Sequence, residues 1–241
     1  MPFEKLRPEV MDEGAGARVR RLFPAPGRPW RDPFVLFDEF FVPPGGGFPD
    51  HPHRGFEAIT YVLDGAMHHR DNLGNDGVVG PGGVQRFTAG SGIVHSEMPA
   101  GKEVAHGVQL WVNLKKSDKN VGATYQQVVP DHIPDSKIDG CRVRTVVGPG
   151  SPVQVNTPML YLDVELAPGS NHGAQLPDDH RGVVYVISGE VRVAETGVRA
   201  GEALAVGPGV VEVTTGPGGR YLLVTGKPSG EPVLMRGPYV D

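Results

Sequence analysis

Residues 51–65 read HPHRGFEAITYVLDG. His51 and His53 stand two apart, Glu57 follows four positions later, and the apolar run AITYVL ends at Asp64-Gly65. Side chains two or four apart along a strand face the same side. His51, His53 and Glu57 therefore share a face if one strand runs through all three. The apolar run itself is short, rich in β-branched and aromatic residues, and closed by a turn residue, which reads as a buried strand.

The same pattern extends over the chain. GVQLWVNL, RVRTVVG, MLYLDVEL, GVVYVISGEVRV and RYLLVTG are short Val/Ile/Tyr/Leu-rich runs bounded by Gly, Pro, Asn or Asp. Helical periodicity is almost absent. With 35 glycines and 24 prolines, about a quarter of the 241 residues, the chain reads as many strands joined by tight turns. RDNLGNDG (70–77) carries the Asp-Gly signature of a hairpin. The fold class is all-β.

The chain also repeats itself. Tyr61-Val-Leu-Asp-Gly65 matches Tyr185-Val-Ile-Ser-Gly189 at an offset of 124. Each copy continues into a hairpin and a Gly-centred turn, PGGVQRFTAGSGIVHSEM in the first and RAGEALAVGPGVVEVTT in the second. Two copies of one β unit imply two similar barrels in tandem. The boundary is expected in 115–140, a stretch with little periodicity, which divides the chain into 1–125 and 126–241.

Composition narrows the function classes. The formal charge is −5, so direct nucleic-acid binding is not expected. The one cysteine, Cys141, rules out an intramolecular disulfide, fits a reducing compartment, and reads as a packing residue. The N-terminal segment lacks the apolar core of a signal peptide, and no run approaches the roughly 18 apolar residues of a membrane span. A cytoplasmic monomer with no membrane contact is expected.

About 40 positions after the first pair, GIVHSEMP presents His95 and Glu97, again two apart. An HxH pair and an HxE pair on two strands of one barrel offer up to five ligand-type side chains: His51, His53, Glu57, His95 and Glu97. Imidazoles with a carboxylate suit Fe(II), and also Mn, Co, Ni, Cu or Zn. Taken singly, each pair reads as ordinary loop or hydrogen-bonded strand residues; together, in one copy of a repeat, they read as a metal site. The second copy carries Gln175, Pro177 and Arg181 at the positions of His51, His53 and Glu57, and Glu212 and Thr214 near those of His95 and Glu97. His172 and His180 lie nearby at the wrong spacing. The second barrel is expected to be metal-free.

HxHxxxE followed by a β turn and a PGG…H strand resembles the cupin superfamily. FDEFFVPPGGGFPDHPHRGFE (37–57), TAGSGIVHSEMP (88–99), HGVQLWVNL (106–114) and EPVLMRGPYV (231–240) more specifically resemble the pirin family. The resemblance covers essentially the whole chain and implies a bicupin of two jelly-roll-like barrels with one divalent metal ion in the first; Fe(II) is the expected ion, with other transition metals as alternatives. The pirin pattern places the ligands at His51, His53, His95 and Glu97. The general cupin pattern places them at His51, His53, Glu57 and His95. The pirin pattern is preferred because the surrounding strings are pirin-like, and Glu57 then becomes a supporting or core polar residue.

The resemblance further implies quercetin 2,3-dioxygenase activity on a flavonol and dioxygen, with ring opening and release of carbon monoxide. Glu97 is the expected base for the substrate hydroxyl, and Glu57 the alternative. The other reading is a non-catalytic, iron-dependent regulatory pirin that binds a protein partner, with Arg54 and Lys102 near its surface patch. Among neighbours, one of His68 and His69 must face inward and is expected to line the pocket. Gln109 is expected to support the site, and Trp111 to anchor the core. Phe37, Asp38 and Phe40 precede the ligand loop; they are read as core residues by default, with walling of an apolar cavity as the alternative.

Overall fold

A computed structural model describes residues 4–241. The regular structure is β, interrupted by two single 3-10 turns at Lys116–Asp118 and Pro130–His132. The all-β reading is the observed architecture. No helix among the described residues is long and apolar enough to cross a membrane.

Two compact units form. One comprises Glu9–Ile133 with Ser229–Asp241; the other comprises, among the described residues, 4–8 with Pro134–Pro228. The partition therefore differs from a single cut at 125/126. Residues 126–133 stay with the first unit, and the two chain ends cross over.

Strand β1 (Lys5–Leu6) belongs to the second unit. The first unit holds β2 (Glu9–Glu13), β3 (Ala17–Phe23), β4 (Phe34–Val42), β5 (Phe48–His53), β6 (Phe56–Asp64) and β7 (Met67–Asp71). It continues with β8 (Asp76–Val79), β9 (Val84–Thr88), β10 (Ile93–Pro99), β11 (Ala105–Asn113) and β12 (Thr124–Val128). These make two antiparallel sheets, in the orders β12-β9-β6-β11-β4-β3-β2 and β5-β10-β7-β8. Pairing of β12 with β9 is what keeps residues beyond 125 in this unit.

Strand β6 lies inside the larger sheet, and Phe56 to Leu63 are all buried. Its inner face presents Phe56, Ala58, Thr60 and Val62. Two apolar clusters fill the ends of the interior. One contains Val19, Phe40, Val62 and Met67; the other contains Phe56, Ala58, Phe87 and Ile93. Each of these Val, Ile, Met and Phe side chains contributes roughly 1.5–3 kcal/mol of burial. Thr60, between Ala58 and Val62 on the same face, lies 2.7 Å from Glu97 Oε1, and the site is built beside this contact.

The second unit holds β13 (Asp135–Ile138), β14 (Cys141–Val147), β15 (Met159–Leu166), β16 (Asn171–Leu176) and β17 (Arg181–Val193). It ends with β18 (Thr196–Arg199), β19 (Ala203–Val206), β20 (Gly209–Thr214) and β21 (Gly219–Gly226). Its core is apolar, built from residues such as Val184, Val186, Val211, Val213, Tyr221 and Leu223. Gln175, Pro177, Glu212 and Thr214 are exposed. A short hairpin, β22 (Met235–Arg236) with β23 (Tyr239–Val240), closes the chain against the first unit.

Candidate metal centre

His51 and His53 sit on β5, an edge strand of the smaller sheet. Edge placement is why Pro52 is tolerated between them: a proline there breaks no interior ladder. The strand ends at His53. Gly55 has φ +84°, a conformation that favours glycine, and β6 starts at Phe56 in the other sheet. His95 and Glu97 sit on β10, whose register sets His95 opposite His51 and Ile93 opposite His53; the pairing with β5 shifts register between His95 and Glu97, where Glu97 faces Phe48.

The pairing brings three imidazoles together. The nitrogens that His51, His53 and His95 offer all lie within 4.8 Å of one another, and this is the only such cluster among the described residues. The ring centroids of His51 lie 4.5 Å from those of both His53 and His95. His53 and His95 are buried, and His51 is half-buried.

Each ring has its Nδ1 occupied. His51 Nδ1 lies 2.7 Å from the carbonyl oxygen of Pro49, and His53 Nδ1 lies 3.2 Å from that of Pro238. A carbonyl only accepts, so both rings carry the proton on Nδ1 and leave Nε2 with a free lone pair. His95 Nδ1 faces His69 Nδ1 at 3.4 Å, and His95 Nε2 is buried with no hydrogen-bond partner. A buried, unpartnered polar atom beside two further bare nitrogens is a costly arrangement without a ligand. The donor set fits a first-row divalent cation.

Electrostatics point the same way. Burial, then the neighbouring His51, push His53 down to about 3. Burial, then His51, His53 and His69, hold His95 well below the usual imidazole range. Both rings are neutral at pH 7, the form that binds metal.

The carboxylates are placed differently from one another. Glu97 follows His95 by two residues on β10 and does not belong to the three-nitrogen group. Its Oε1 is 2.7 Å from Thr60 Oγ1, and its Oε2 accepts from Gln109 Nε2 at 2.8 Å. Glu57 is not brought to the histidines. It faces away from Thr60 across the sheet and accepts from Thr88 Oγ1 at 2.9 Å, close to the charge of Arg86. The shared parity of His51, His53 and Glu57 fails because the turn at Arg54-Gly55 separates two strands in different sheets.

A cavity of about 640 Å³ opens on His51 and His53. Its walls include Leu36, Phe40, Phe48 and Trp111, and its polar edge includes Asp38, Arg21 and Gln109. That volume lies in the range of small-molecule sites. Arg21 donates to both oxygens of Asp38, at 2.9 and 2.6 Å. Trp111, expected as a core anchor, stacks on Phe56 at 4.1 Å and also faces the cavity and His53. Phe37 packs on Phe23 away from the cavity.

His68 points outward to Asp76, while His69 is buried and reaches His95. Pro238, Asp71 and Tyr125 escaped sequence reasoning. Only the parity of His69 and Asp71 on one strand signalled any of them.

Two family descriptions cover most of the chain. Pirin matches residues 16–112, and the Pirin C-terminal cupin domain matches residues 161–241. Human pirin is 42% identical over 240 residues, spanning 95% of this chain and 83% of its own.

The chain belongs to the pirin family. Its two units are cupin domains, as in other pirins. A pirin-like protein of Caulobacter vibrioides is 41% identical, covering 95% of this chain and 87% of its own. Among solved structures, a quercetin 2,3-dioxygenase from Acinetobacter baumannii superposes with a TM-score of 0.90 at 28% identity, over 98% of this pirin and 90% of that chain. Bacterial pirin YhhW from Escherichia coli, solved with nickel(II), shares the fold with a TM-score of 0.79 at 21% identity, covering 94% of this chain and 99% of its own.

Proposed function

We propose that this pirin is a metal-dependent dioxygenase that opens a flavonol such as quercetin. The observation that carries the reading is the set of three imidazoles with Nδ1 occupied and Nε2 bare, beside an apolar-walled cavity. His51, His53 and His95 would hold one divalent ion, Fe(II), through Nε2. Glu97, two residues along the strand from His95, is the carboxylate proposed to complete the set. When bound, the ion supplies Lewis acidity and access to dioxygen.

The chain's own residues do the rest. Leu36, Phe40 and Trp111 hold the flat substrate and exclude water. A carboxylate oxygen of Glu97 takes the proton of the flavonol 3-hydroxyl, and Gln109 and Thr60 orient that carboxylate. Dioxygen then adds across the ring; both of its atoms stay in the opened organic product, one ring carbon leaves as carbon monoxide with the oxygen of the former 3-hydroxyl, and the proton held by Glu97 passes to the carboxylate formed in the product. The similarity to the Acinetobacter baumannii quercetin 2,3-dioxygenase supports this choice of reaction.

The test is oxygen uptake by iron-reconstituted protein given quercetin, with metal content measured on the same samples and His53→Ala as control. Uptake that His53→Ala abolishes is expected. Bound metal with no uptake on any flavonol would refute the dioxygenase reading and favour the non-catalytic, iron-dependent one.

A further inference from the structure

His95 differs from the other two histidines in what holds it. Backbone carbonyls hold His51 and His53; a second imidazole, His69, holds His95. Behind His69 stands a carboxylate: His69 Nε2 lies 3.1 Å from Asp71 Oδ2. Both side chains are buried, at 1% and 0% exposure.

Hydrogen-bond accounting fixes the direction of every proton in this chain. Asp71 Oδ1 accepts from the backbone N–H groups of Leu73 at 2.9 Å and Asn75 at 3.0 Å. The Asn75 amide adds bonds of 3.1 and 2.8 Å to the two oxygens. A carboxylate so surrounded by donors accepts from His69 as well, so His69 carries its proton on Nε2. Its Nδ1 is then an acceptor, and the facing His95 Nδ1 must be the donor. That leaves His95 Nε2 bare, the buried nitrogen with no partner.

The geometry locks the intermediate ring. Tyr125 stacks on His69 with centroids 4.2 Å apart and planes 17° from parallel. Asp71 sits at the mouth of a turn that its own side chain organises, so the acceptor at the far end is also fixed. Neither His69 nor Asp71 lines the cavity.

We infer that His69 and Asp71 are positioning residues: through the line Asp71–His69–His95 they hold His95 in the Nδ1–H tautomer, with Nε2 turned to the metal site. This rests on the metal reading of His51, His53 and His95. Orienting partners of this kind set the tautomer and donor strength of a ligating histidine, and their loss typically costs about 10–100-fold in metal affinity.

The first measurement is nitrogen NMR of the metal-free full chain labelled at its histidines. His95 is expected as the Nδ1–H tautomer and His69 as the Nε2–H tautomer. A proton on His95 Nε2 overturns the inference, even in a protein that binds metal. The second is Co(II) affinity by chelator competition. His69→Phe keeps the stack on Tyr125 but removes the acceptor, and a loss of about 10–100-fold is expected. His69→Gln restores an acceptor oxygen and is expected to recover most of that loss. Wild-type affinity in a folded His69→Phe also overturns it. A wild type with the expected tautomers and no Co(II) binding would instead sink the metal reading, so the two failures are told apart.

Discussion

His53 Nδ1 lies 3.2 Å from the carbonyl oxygen of Pro238, although 185 positions separate the two residues. The C-terminal hairpin is tied down on either side of this contact. Val240 N–H donates to the Arg54 carbonyl at 3.0 Å, and Lys119 Nζ donates to the carbonyls of Val240 and Gly55, each at 2.9 Å. Arg54 grips the Asp241 carboxylate with Nε and Nη2 and lies over the Tyr239 ring at 4.8 Å. The end of the chain thus orients one histidine of the candidate centre.

Disturbing this hairpin is expected to weaken metal binding without touching a ligand. A Cβ on Gly55 would meet the Val240 carbonyl oxygen, and Gly55 has φ +84°. Gly55→Ala therefore strains the backbone and pushes β23 away, at a cost of about 1–3 kcal/mol for the backbone alone. Metal affinity should fall about 10–100-fold alongside it. Chelator competition and thermal melting check both; unchanged affinity would mean that Pro238 has no orienting role.

Glu97 and Glu57 are expected to part company. Glu97→Ala should lower metal content strongly while leaving most of the fold in place. Glu57→Ala should leave the metal content of the folded protein near wild type, but destabilise it by about 3–5 kcal/mol, because Arg86 loses the charge that compensates its burial. Elemental analysis and denaturant titration of both variants decide this. The reverse pattern would reassign the carboxylate.

The metal-free protein is expected to lose stability as the pH falls from neutral. Native His53 stays neutral down to about 3, and native His95 titrates well below the usual range. In the unfolded chain both take up a proton near their ordinary value of about 6.5. Below that pH the unfolded state binds more protons than the native one, so stability drops with falling pH. Urea titrations should show a loss of about 2–4 kcal/mol between pH 7.5 and 5. His53→Gln should remove part of the slope; an identical slope would assign it to other groups.

Filling the cavity should separate substrate binding from metal binding. Leu36 is buried in the cavity wall and touches none of the three histidines' hydrogen bonds. Leu36→Trp is expected to leave metal content unchanged and raise KM for quercetin at least about tenfold, the scale of a lost apolar contact of roughly 1.4 kcal/mol. Unchanged steady-state kinetics would place the substrate elsewhere.

Much of this protein is legible in its sequence because strand chemistry is local. Period-two burial, β-branched runs and Gly/Pro turns declare an all-β chain, and the repeated Tyr-Val-x-x-Gly declares two related units. The HxH and HxE pairs bring His51, His53 and His95 forward because strand alternation puts each pair on one face. What failed was parity carried across Gly55: one glycine with a positive φ ends β5 and starts β6 in another sheet, which turns Glu57 away. The contacts of His53 with Pro238, of His69 with His95, and of Glu97 with Thr60 and Gln109 depend on pairing between distant strands. So do the crossed chain ends, since β1 finds its partner in β19 and the last residues find theirs at Arg54. Local sequence sets which way a side chain faces along its own strand. Which side chain it meets is set by register between strands, and that exists only once the sheets have closed.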